Sequence, residues 1–341
     1  MPRLTQSIVN LTRLTSLSTR VLADIPFAAT AFVQRPPSYT VPAFVNVGIA
    51  GYVAGGFTGS VRVTRIDKIT FPADTKTTIA GVLSGRKTKG GNFANSAVAG
   101  YAAGGYSADA VDYVSTIDRV AFPADTVTSL SATLSVAVDS PAGFANSGVA
   151  GYAAGGYGTS YNNFIDKITF PAETRTTLSA TLSTTLDVGS GFANSGVAGY
   201  VAGGENGPLY SRIDKITFSA DTRSTLSATL TSARIETAGF ANSGVAGYVA
   251  GGNDGTNNLS GIDKITFPAD TKTTLSATLT GIIQQAAGFA NSGVAGYVAG
   301  GAITTDQIDK ITFSADTKTT LSAVLTVAIK RSYGFANSGV L

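Results

Sequence analysis

The chain has 341 residues, of which 43% are hydrophobic and 13% are charged, with 40 Gly, no Cys and no His. This composition is too apolar for an intrinsically disordered protein, and no apolar run of about 18 residues predicts a transmembrane helix. The absence of Cys and His excludes disulfides, cysteine nucleophiles, zinc–thiolate sites and a Ser–His–Asp triad. We therefore expect a non-enzymatic protein with no metal ion and no organic cofactor.

The excess of positive over negative charge lies entirely in residues 1–43. Four Arg and one Asp in this segment account for the formal net charge of +3, and the rest of the chain has as many acidic as basic residues. A neutral body lacks the basic surface that phosphate binding requires, so we expect no nucleic-acid partner. The segment has apolar residues at helical spacing and then several prolines. We interpret it as an extended or partly helical arm that docks onto another protein; the alternative is a flexible tail.

Residues 44–341 form a sixfold repeat. Gly pairs occur at 55–56, 104–105, 155–156, 203–204, 251–252 and 300–301, at intervals of 49, 51, 48, 48 and 49 residues. A second phrase, IDKITFPADT, begins at Ile66 and returns, with small changes, in each later unit. Repeats of this length are typical of solenoids and propellers.

Each unit predicts four short strands. In the fourth unit we expect them over Phe192–Val197, Gly199–Gly204, Ser211–Phe218 and Arg223–Leu230. An Ala–Gly turn would join the first two strands, and an SADT or PADT turn, whose Asp can bond its own backbone, would join the last two. Six such units predict an all-β fold, a six-bladed β-propeller of four-stranded antiparallel blades. Its inner strands would be rich in Gly and Ala because no bulkier side chain fits at a crowded axis.

A seventh copy of the first-strand phrase ends the chain. We expect Gly334–Val340 to supply the innermost strand of the first blade and to displace Phe44–Ile49. The alternative is that this extra strand pairs with a neighbouring subunit.

Two features resemble the kelch repeat: the Gly pair after an aromatic strand residue (Tyr200 to Gly204) and the aromatic residue before an acidic turn (Phe218 to Asp221). More specifically, the unit is similar to kelch-like repeats in virion structural proteins of cyanobacterial phages. The resemblance covers about 44–341, although Thr or Leu replaces the Trp that kelch repeats carry in strand four. It implies a tail-fibre, neck or surface protein of the extracellular virion, present in many copies and bound to other virion proteins through residues 1–43.

Sequence variation is concentrated in two of the four connections. The loops joining strand two to three and strand four to the next strand one differ between units, while the other two turns barely change. In an antiparallel unit these two loops lie on the same side, and variable loops on a rigid frame are where recognition usually occurs. The alternative is that the loops vary because nothing constrains them. Tyr and Asn suit adaptable binding, and the predicted binding residues are Tyr106, Tyr113, Tyr157, Tyr161, Asn162, Asn163, Tyr210, Asn257 and Asn258.

Two repeated polar positions indicate structural roles instead. The Asn of the first strand is expected to satisfy backbone groups between units. The Asp of each IDK phrase, with its neighbouring Lys or Arg, is expected to form an inter-blade hydrogen bond or ion pair.

The leading functional hypothesis is a phage virion protein that is held by its arm and attaches to a host glycan or receptor through its loop face, without membrane insertion. The alternatives are a purely structural decoration or neck subunit, and a free-standing lectin-like protein.

Overall fold

The structure is a computed structural model that describes residues 49–281, 283–302 and 305–337. The chain divides into the units Met1–Val45 and Asn46–Leu341, and every described residue belongs to the second. The predicted docking arm, residues 1–43, lies outside the described residues. In the described ranges every regular secondary-structure element is a β-strand, which confirms the all-β class. No helix in these ranges is long and apolar enough to span a bilayer.

The described residues contain strands that are mostly four or five residues long. In chain order they are β1 (Ala50–Ala54), β2 (Ile66–Thr70), β3 (Thr75–Thr78), β4 (Lys87–Thr88), β5 (Gly91–Asn95), β6 (Ala99–Ala103), β7 (Tyr106–Ser107), β8 (Asp112–Tyr113), β9 (Thr116–Ala121), β10 (Val127–Thr133), β11 (Ala142–Asn146), β12 (Ala150–Ala154), β13 (Ile165–Thr169), β14 (Arg175–Thr177), β15 (Ser190–Asn194), β16 (Ala198–Ala202), β17 (Ile213–Thr217), β18 (Thr222–Thr225), β19 (Ala238–Asn242), β20 (Ala246–Ala250), β21 (Ile262–Thr266), β22 (Thr271–Thr274), β23 (Ala287–Asn291), β24 (Ala295–Ala299), β25 (Ile308–Thr312), β26 (Thr317–Thr320) and β27 (Tyr333–Ala336).

These strands form seven sheets rather than the six predicted. Six have four antiparallel strands: sheet 1 (β27-β1-β2-β3), sheet 2 (β5-β6-β9-β10), sheet 3 (β11 to β14), sheet 4 (β15 to β18), sheet 5 (β19 to β22) and sheet 6 (β23 to β26). The seventh is a three-stranded sheet, β4-β7-β8, whose strands have two residues each. It arises because the long loop after β6 folds back on itself and pairs with the loop before β5.

Strand bounds differ from the prediction in a consistent way. In sheet 4 the first strand ends at Asn194, and the turn is formed by residues 195–197 instead of by Ala and Gly. The Asn194 carbonyl accepts a hydrogen bond from the Val197 N–H at 3.0 Å, and Gly196 has φ +80°, which only Gly adopts easily. The fourth strand is half the predicted length, because regular pairing with β17 stops at Thr225.

The C-terminal strand closes the first sheet, as predicted. β27 pairs antiparallel with β1, with Tyr333 opposite Ala54 and Phe335 opposite Tyr52. We call β27, β5, β11, β15, β19 and β23 the inner strands, because each contacts the corresponding strands of two other sheets. These contacts follow the order of the sheets and return from β23 through β27 to β5. Residues 338–340 of the predicted closing strand lie outside the described residues.

Only part of the Gly and Ala content reflects crowding at the axis. A Cβ on Gly191, in an inner strand, would lie 2.1 Å from the carbonyl oxygen of Gly143 in the preceding inner strand. The inner two strands nevertheless carry fully buried Phe and Tyr residues, so the prediction that only small side chains fit there is wrong. These rings lie between sheets: Phe144 stacks on Tyr152 at 5.1 Å, and Tyr152 stacks on Phe218 of the next sheet at 5.2 Å.

A polar contact is repeated at every junction between neighbouring sheets. In sheet 4, Tyr200 Oη and Lys215 Nζ both donate to Asp270, at 2.8 and 2.6 Å. Asp270 lies in the turn between β21 and β22 of sheet 5. The side chain of the turn Asp therefore bonds the preceding sheet, whereas the prediction was a bond to its own backbone. Equivalent contacts, with Arg119 and Glu173 at one junction, link all six sheets, including sheet 6 to sheet 1 through Asp74.

The IDK aspartates make a second link, in the opposite direction. Asp214 accepts from Thr225 of its own sheet at 2.6 Å and from the Ser183 N–H of the preceding sheet at 2.7 Å. The predicted inter-unit role is confirmed, but the Asp and the following Lys bond different sheets, because adjacent strand residues point to opposite faces. The inner-strand asparagines also act as predicted; Asn146, for example, accepts from the Gly196 N–H of the next sheet at 2.9 Å.

Candidate functional site: the loop face

The loops after the second strand and before the next inner strand meet on one side of the sheets, which we call the loop face. They are joined by backbone pairs that continue the two innermost strands of a sheet. In sheet 3 the Asp139 N–H donates to the Tyr157 carbonyl at 2.8 Å, and the Tyr157 N–H donates back at 3.0 Å. Similar pairs join Asp187 to Glu205 and Ile235 to Asn253. The prediction that the variable loops share one face is therefore confirmed.

Four of the predicted binding residues form one continuous group, which we call the tyrosine row: Tyr106, Tyr113, Tyr157 and Tyr161. Tyr106 and Tyr113 are paired across β7 and β8, and their rings meet edge to face at 5.7 Å. Tyr113 meets Tyr157 of the next sheet at 5.8 Å, and Tyr157 meets Tyr161 at 5.0 Å. All four side chains are half-buried, so the row presents aromatic surface that is both fixed and accessible.

Cations flank one end of the tyrosine row. The Arg62 guanidinium lies 4.6 Å from the centre of the Tyr106 ring and 5.7 Å from that of Phe57. Lys330 lies 6.0 Å from the Phe57 ring centre. A cation over an aromatic face is attracted by the ring quadrupole, so these contacts hold the Tyr106 end in place and make it electropositive.

The other end of the row is acidic. Asp139 and Asp187 precede two neighbouring inner strands and are both buried. Burial, with the nearby charge of Asp139, raises the pKa of Asp187 to about 7. Burial also raises the pKa of Asp139, although Lys89 Nζ at 3.4 Å opposes that rise. After burial itself, the charge of Glu205 contributes to a raised pKa of Tyr161, and that of Asp139 to a raised pKa of Tyr113, so acidic groups lie along the row from Tyr113 to Tyr161.

The other predicted residues make their contacts outside the tyrosine row, although Asn162 and Asn163 directly follow Tyr161 in the same loop. Asn162 Nδ2 donates to the Ser160 carbonyl at 2.7 Å, so its amide holds its own loop, and the Asn163 carbonyl accepts from the Leu182 N–H at 2.9 Å. Tyr210 donates to Asn206 at 2.6 Å and stacks under Arg212 at 3.8 Å.

Asn257 and Asn258 belong to the loop that follows β20. Asn258 accepts from Asn253 at 2.8 Å, while Asn257 is exposed and its N–H donates to Asp254 at 2.7 Å. None of the hydrogen bonds described for these five residues reaches the tyrosine row.

Sequence reasoning missed a second feature of the loop face. Two of the six equivalent positions before the inner strands hold buried cations, Lys87 and Arg234, where the others hold Val138, Leu186, Ile283 and Ile329. Lys87 Nζ lies 2.9 Å from Asp118, and Arg234 bonds Asp263. Aligning the six loops on the following Phe would have revealed these exceptions. In the described residues no three Asp or Glu side chains are arranged to hold a metal ion.

The sequence matches no protein-family model and has no significant match among curated proteins.

Proposed function

We propose that residues 44–341 form a six-bladed β-propeller and that the protein is a non-enzymatic binding protein whose loop face recognises carbohydrate. Six four-stranded sheets, inner-strand contacts that return to the first sheet, and a contact of Tyr and a basic residue with an acidic turn residue at each junction support the propeller. The small sheet β4-β7-β8 belongs to the loop face and is not a blade.

The observation that carries the binding proposal is the tyrosine row. Aromatic rings offer flat apolar faces to the C–H groups of a sugar, and each phenol hydroxyl can bond a sugar hydroxyl. Four such rings from two neighbouring sheets make a surface longer than one sugar unit. Since they lie on a rigid frame, little side-chain freedom is lost on binding.

A glycan array with the full chain tests this proposal. We expect binding that falls at least tenfold in the double variant Tyr113→Ala/Tyr157→Ala. Tyr210→Ala, which removes a loop-face tyrosine outside the row, is the matched control and should bind normally. Equal binding by the double variant and the control would contradict the role of the row.

The kelch-like resemblance further leads us to propose that the protein belongs to a phage virion and attaches the particle to its host. Residues 1–43 are proposed to contact other virion proteins. Deleting them should remove the protein from purified particles, as measured by mass spectrometry, while glycan binding by the isolated protein persists. A deletion variant that is still incorporated would contradict this assignment and favour a free-standing lectin.

A purely structural virion subunit is the second candidate, and one observation favours it. The turns on the side opposite the loop face each expose a valine: Val98, Val149, Val197, Val245 and Val294 are 43–51% exposed. Exposed apolar surface is typical of protein contacts when it forms a patch, and five turns on this side each contribute such a residue. If Val→Ser changes in this set abolish incorporation while the array shows no bound glycan, the structural role is the better account.

A further inference from the structure

The residue after the Gly pair of sheet 1, Phe57, lies between two basic residues on the loop face. It is paired antiparallel with Lys330 on one side and with Arg62 on the other. Directly opposite residues of antiparallel strands project to the same side, so the ring has a cation on each flank. The matching pair in sheet 4 is acidic, Asp187 with Glu205. Sheet 1 therefore contributes a positive group to the loop face where sheet 4 contributes a negative one.

Neither of these two cations is neutralised within the described part of the protein. The side chains of Arg62 and Lys330 contact aromatic rings but form no ion pair or hydrogen bond with a described residue. By contrast, another cation of the loop face, Lys89, lies 3.4 Å from Asp139. A ring quadrupole attracts a cation but supplies no opposite charge. Arg62 and Lys330 are therefore available to an external anion.

The donor atoms of both cations are accessible. Arg62 and Lys330 are half-buried, and of the nitrogens in their charged groups only Nε of Arg62 is buried. A guanidinium over an aromatic ring still donates from its edge, and its two outer nitrogens match the two oxygens of a carboxylate. The partly buried setting reduces screening by solvent and strengthens the attraction. These two residues therefore suit a carboxylate ligand.

The tyrosine row begins beside these cations. The Arg62 guanidinium lies 5.7 Å from the Phe57 ring centre and 4.6 Å from that of Tyr106, the first member of the row. A ligand that binds Arg62 can therefore continue onto the row.

The part of the row beyond Tyr106 does not suit an anion. Asp139 is paired with Tyr157, and Asp187 is paired with Glu205 in the next sheet. Lys89 offsets only part of this negative charge. Juxtaposed like charges oppose binding, so a second anionic unit here would be repelled. The loop face therefore favours a ligand with one charged unit followed by uncharged units.

We propose that Arg62, Lys330 and Phe57, which we call the anion site, bind a carboxylate-bearing sugar at the end of a glycan. The two cations hold the carboxylate, Phe57 contacts the apolar face of the sugar, and uncharged units lie on the tyrosine row. This proposal rests on the proposed function and specifies its ligand. Aromatic rings contact the C–H groups of any sugar, whereas two cations without partners distinguish an acidic sugar from its neutral parent.

A glycan array with the full chain and paired probes tests the anion site. The acid-terminated probes are sialyllactose and aldotetraouronic acid, their neutral parents are lactose and xylotriose, and tetragalacturonate is the uniformly charged probe. We expect at least one acid-terminated probe to bind about tenfold more tightly than its parent and than tetragalacturonate. Raising the NaCl concentration from about 50 to about 500 mM should remove most of that preference, because salt screens the attraction.

The double variant Arg62→Gln/Lys330→Gln removes both charges. It should bind the acid-terminated probe no better than the neutral parent, while its binding of the neutral parent and its melting temperature should change little. The variant Lys76→Gln/Arg223→Gln is the matched control for net charge, because it removes two cations from the outer strands β3 and β18. This control should keep the full preference for the acid-terminated probe.

The outcomes separate the anion site from the proposed function. If no acid-terminated probe binds more tightly than its parent, or if Arg62→Gln/Lys330→Gln keeps the preference, the anion site is overturned. Glycan binding that still falls in Tyr113→Ala/Tyr157→Ala would then leave carbohydrate recognition standing. Tetragalacturonate that binds as tightly as the acid-terminated probes would contradict the restriction to one charged unit. If no glycan binds at all, the proposed function itself fails, and the acidic-sugar proposal fails with it.

Discussion

The sheet junctions and the loop face differ in how far the six units keep the same side chains. At each junction, a buried Tyr and a half-buried Lys or Arg hold an acidic turn residue of the next sheet. On the loop face, the position four residues before the inner-strand Phe holds a different residue in each of the six sheets: Lys89, Ser140, Val188, Glu236, Gln285 and Arg331. Side chains repeat where every copy meets the same neighbouring sheet, and they differ in the loops of the loop face. The contacts between sheets and the individual loop residues thus lie at separate positions of each unit.

The largest expected effect comes from breaking the closure. A chain that ends at Arg331 lacks β27, including the fully buried Tyr333 and Phe335, and sheet 1 then loses its inner strand. We expect no cooperative thermal transition by circular dichroism, and a larger hydrodynamic radius by gel filtration. A chain ending at Asn337 keeps β27 and is the control; equal folding of both chains would show that closure contributes nothing.

Breaking a buried ion pair should come next. Burial alone would raise the pKa of Asp118, but Lys87 and hydrogen bonds from Lys87, Ser129 and Ser84 lower it overall. Asp118→Ala leaves the Lys87 charge buried, which we expect to cost about 3–5 kcal/mol in urea denaturation.

Lys87→Ile is the informative counterpart. Four equivalent positions are already apolar, and Asp166, beside Val138, is bonded by Ser135 and Thr177, with the part-exposed Arg175 3.7 Å away. Because Ser84 and Ser129 still bond Asp118, we expect Lys87→Ile to cost less than Asp118→Ala, about 1–3 kcal/mol. A loss as large as that of Asp118→Ala would mean that the cation itself holds the loop.

The buried carboxyl of Asp187 on the loop face should lower the stability of the protein in a pH-dependent way. The pKa of Asp187 is about 7 in the folded protein, above the value near 4 of an unfolded chain. Its contribution to stability is therefore greatest below about pH 4 and is lost as the pH rises to about 7. Asp187→Asn should raise the free energy of unfolding by up to about 4 kcal/mol at pH 8 and hardly at all at pH 4. An equal gain at both pH values would contradict a buried ionisable carboxyl.

Adding one methyl group compares the sheet junctions with the loop face through a smaller effect on stability. A Cβ on Gly199 would lie 2.0 Å from the Phe144 ring of the preceding sheet, whereas one on Gly261, in a loop-face loop, would meet no atom within 4 Å. Gly199→Ala should destabilise by about 2–3 kcal/mol because the stacked ring has no room to move. Gly261→Ala should change stability by less than about 0.5 kcal/mol, and similar losses in both variants would show that the junction is looser than its contacts indicate.

The sequence alone determined the β class and the strand order, because the repeat shows each unit six times, and its extra copy of the first strand made closure by the last strand one of two alternatives. It also placed the variable loops on one face, since antiparallel connectivity leaves no other arrangement. Only the tertiary structure decided that the last strand pairs with β1, that the turn acids bond Tyr and a basic residue of the preceding sheet, and that four of the predicted residues form one row. Those facts depend on how neighbouring units approach one another, and a repeat read one copy at a time contains no such distances.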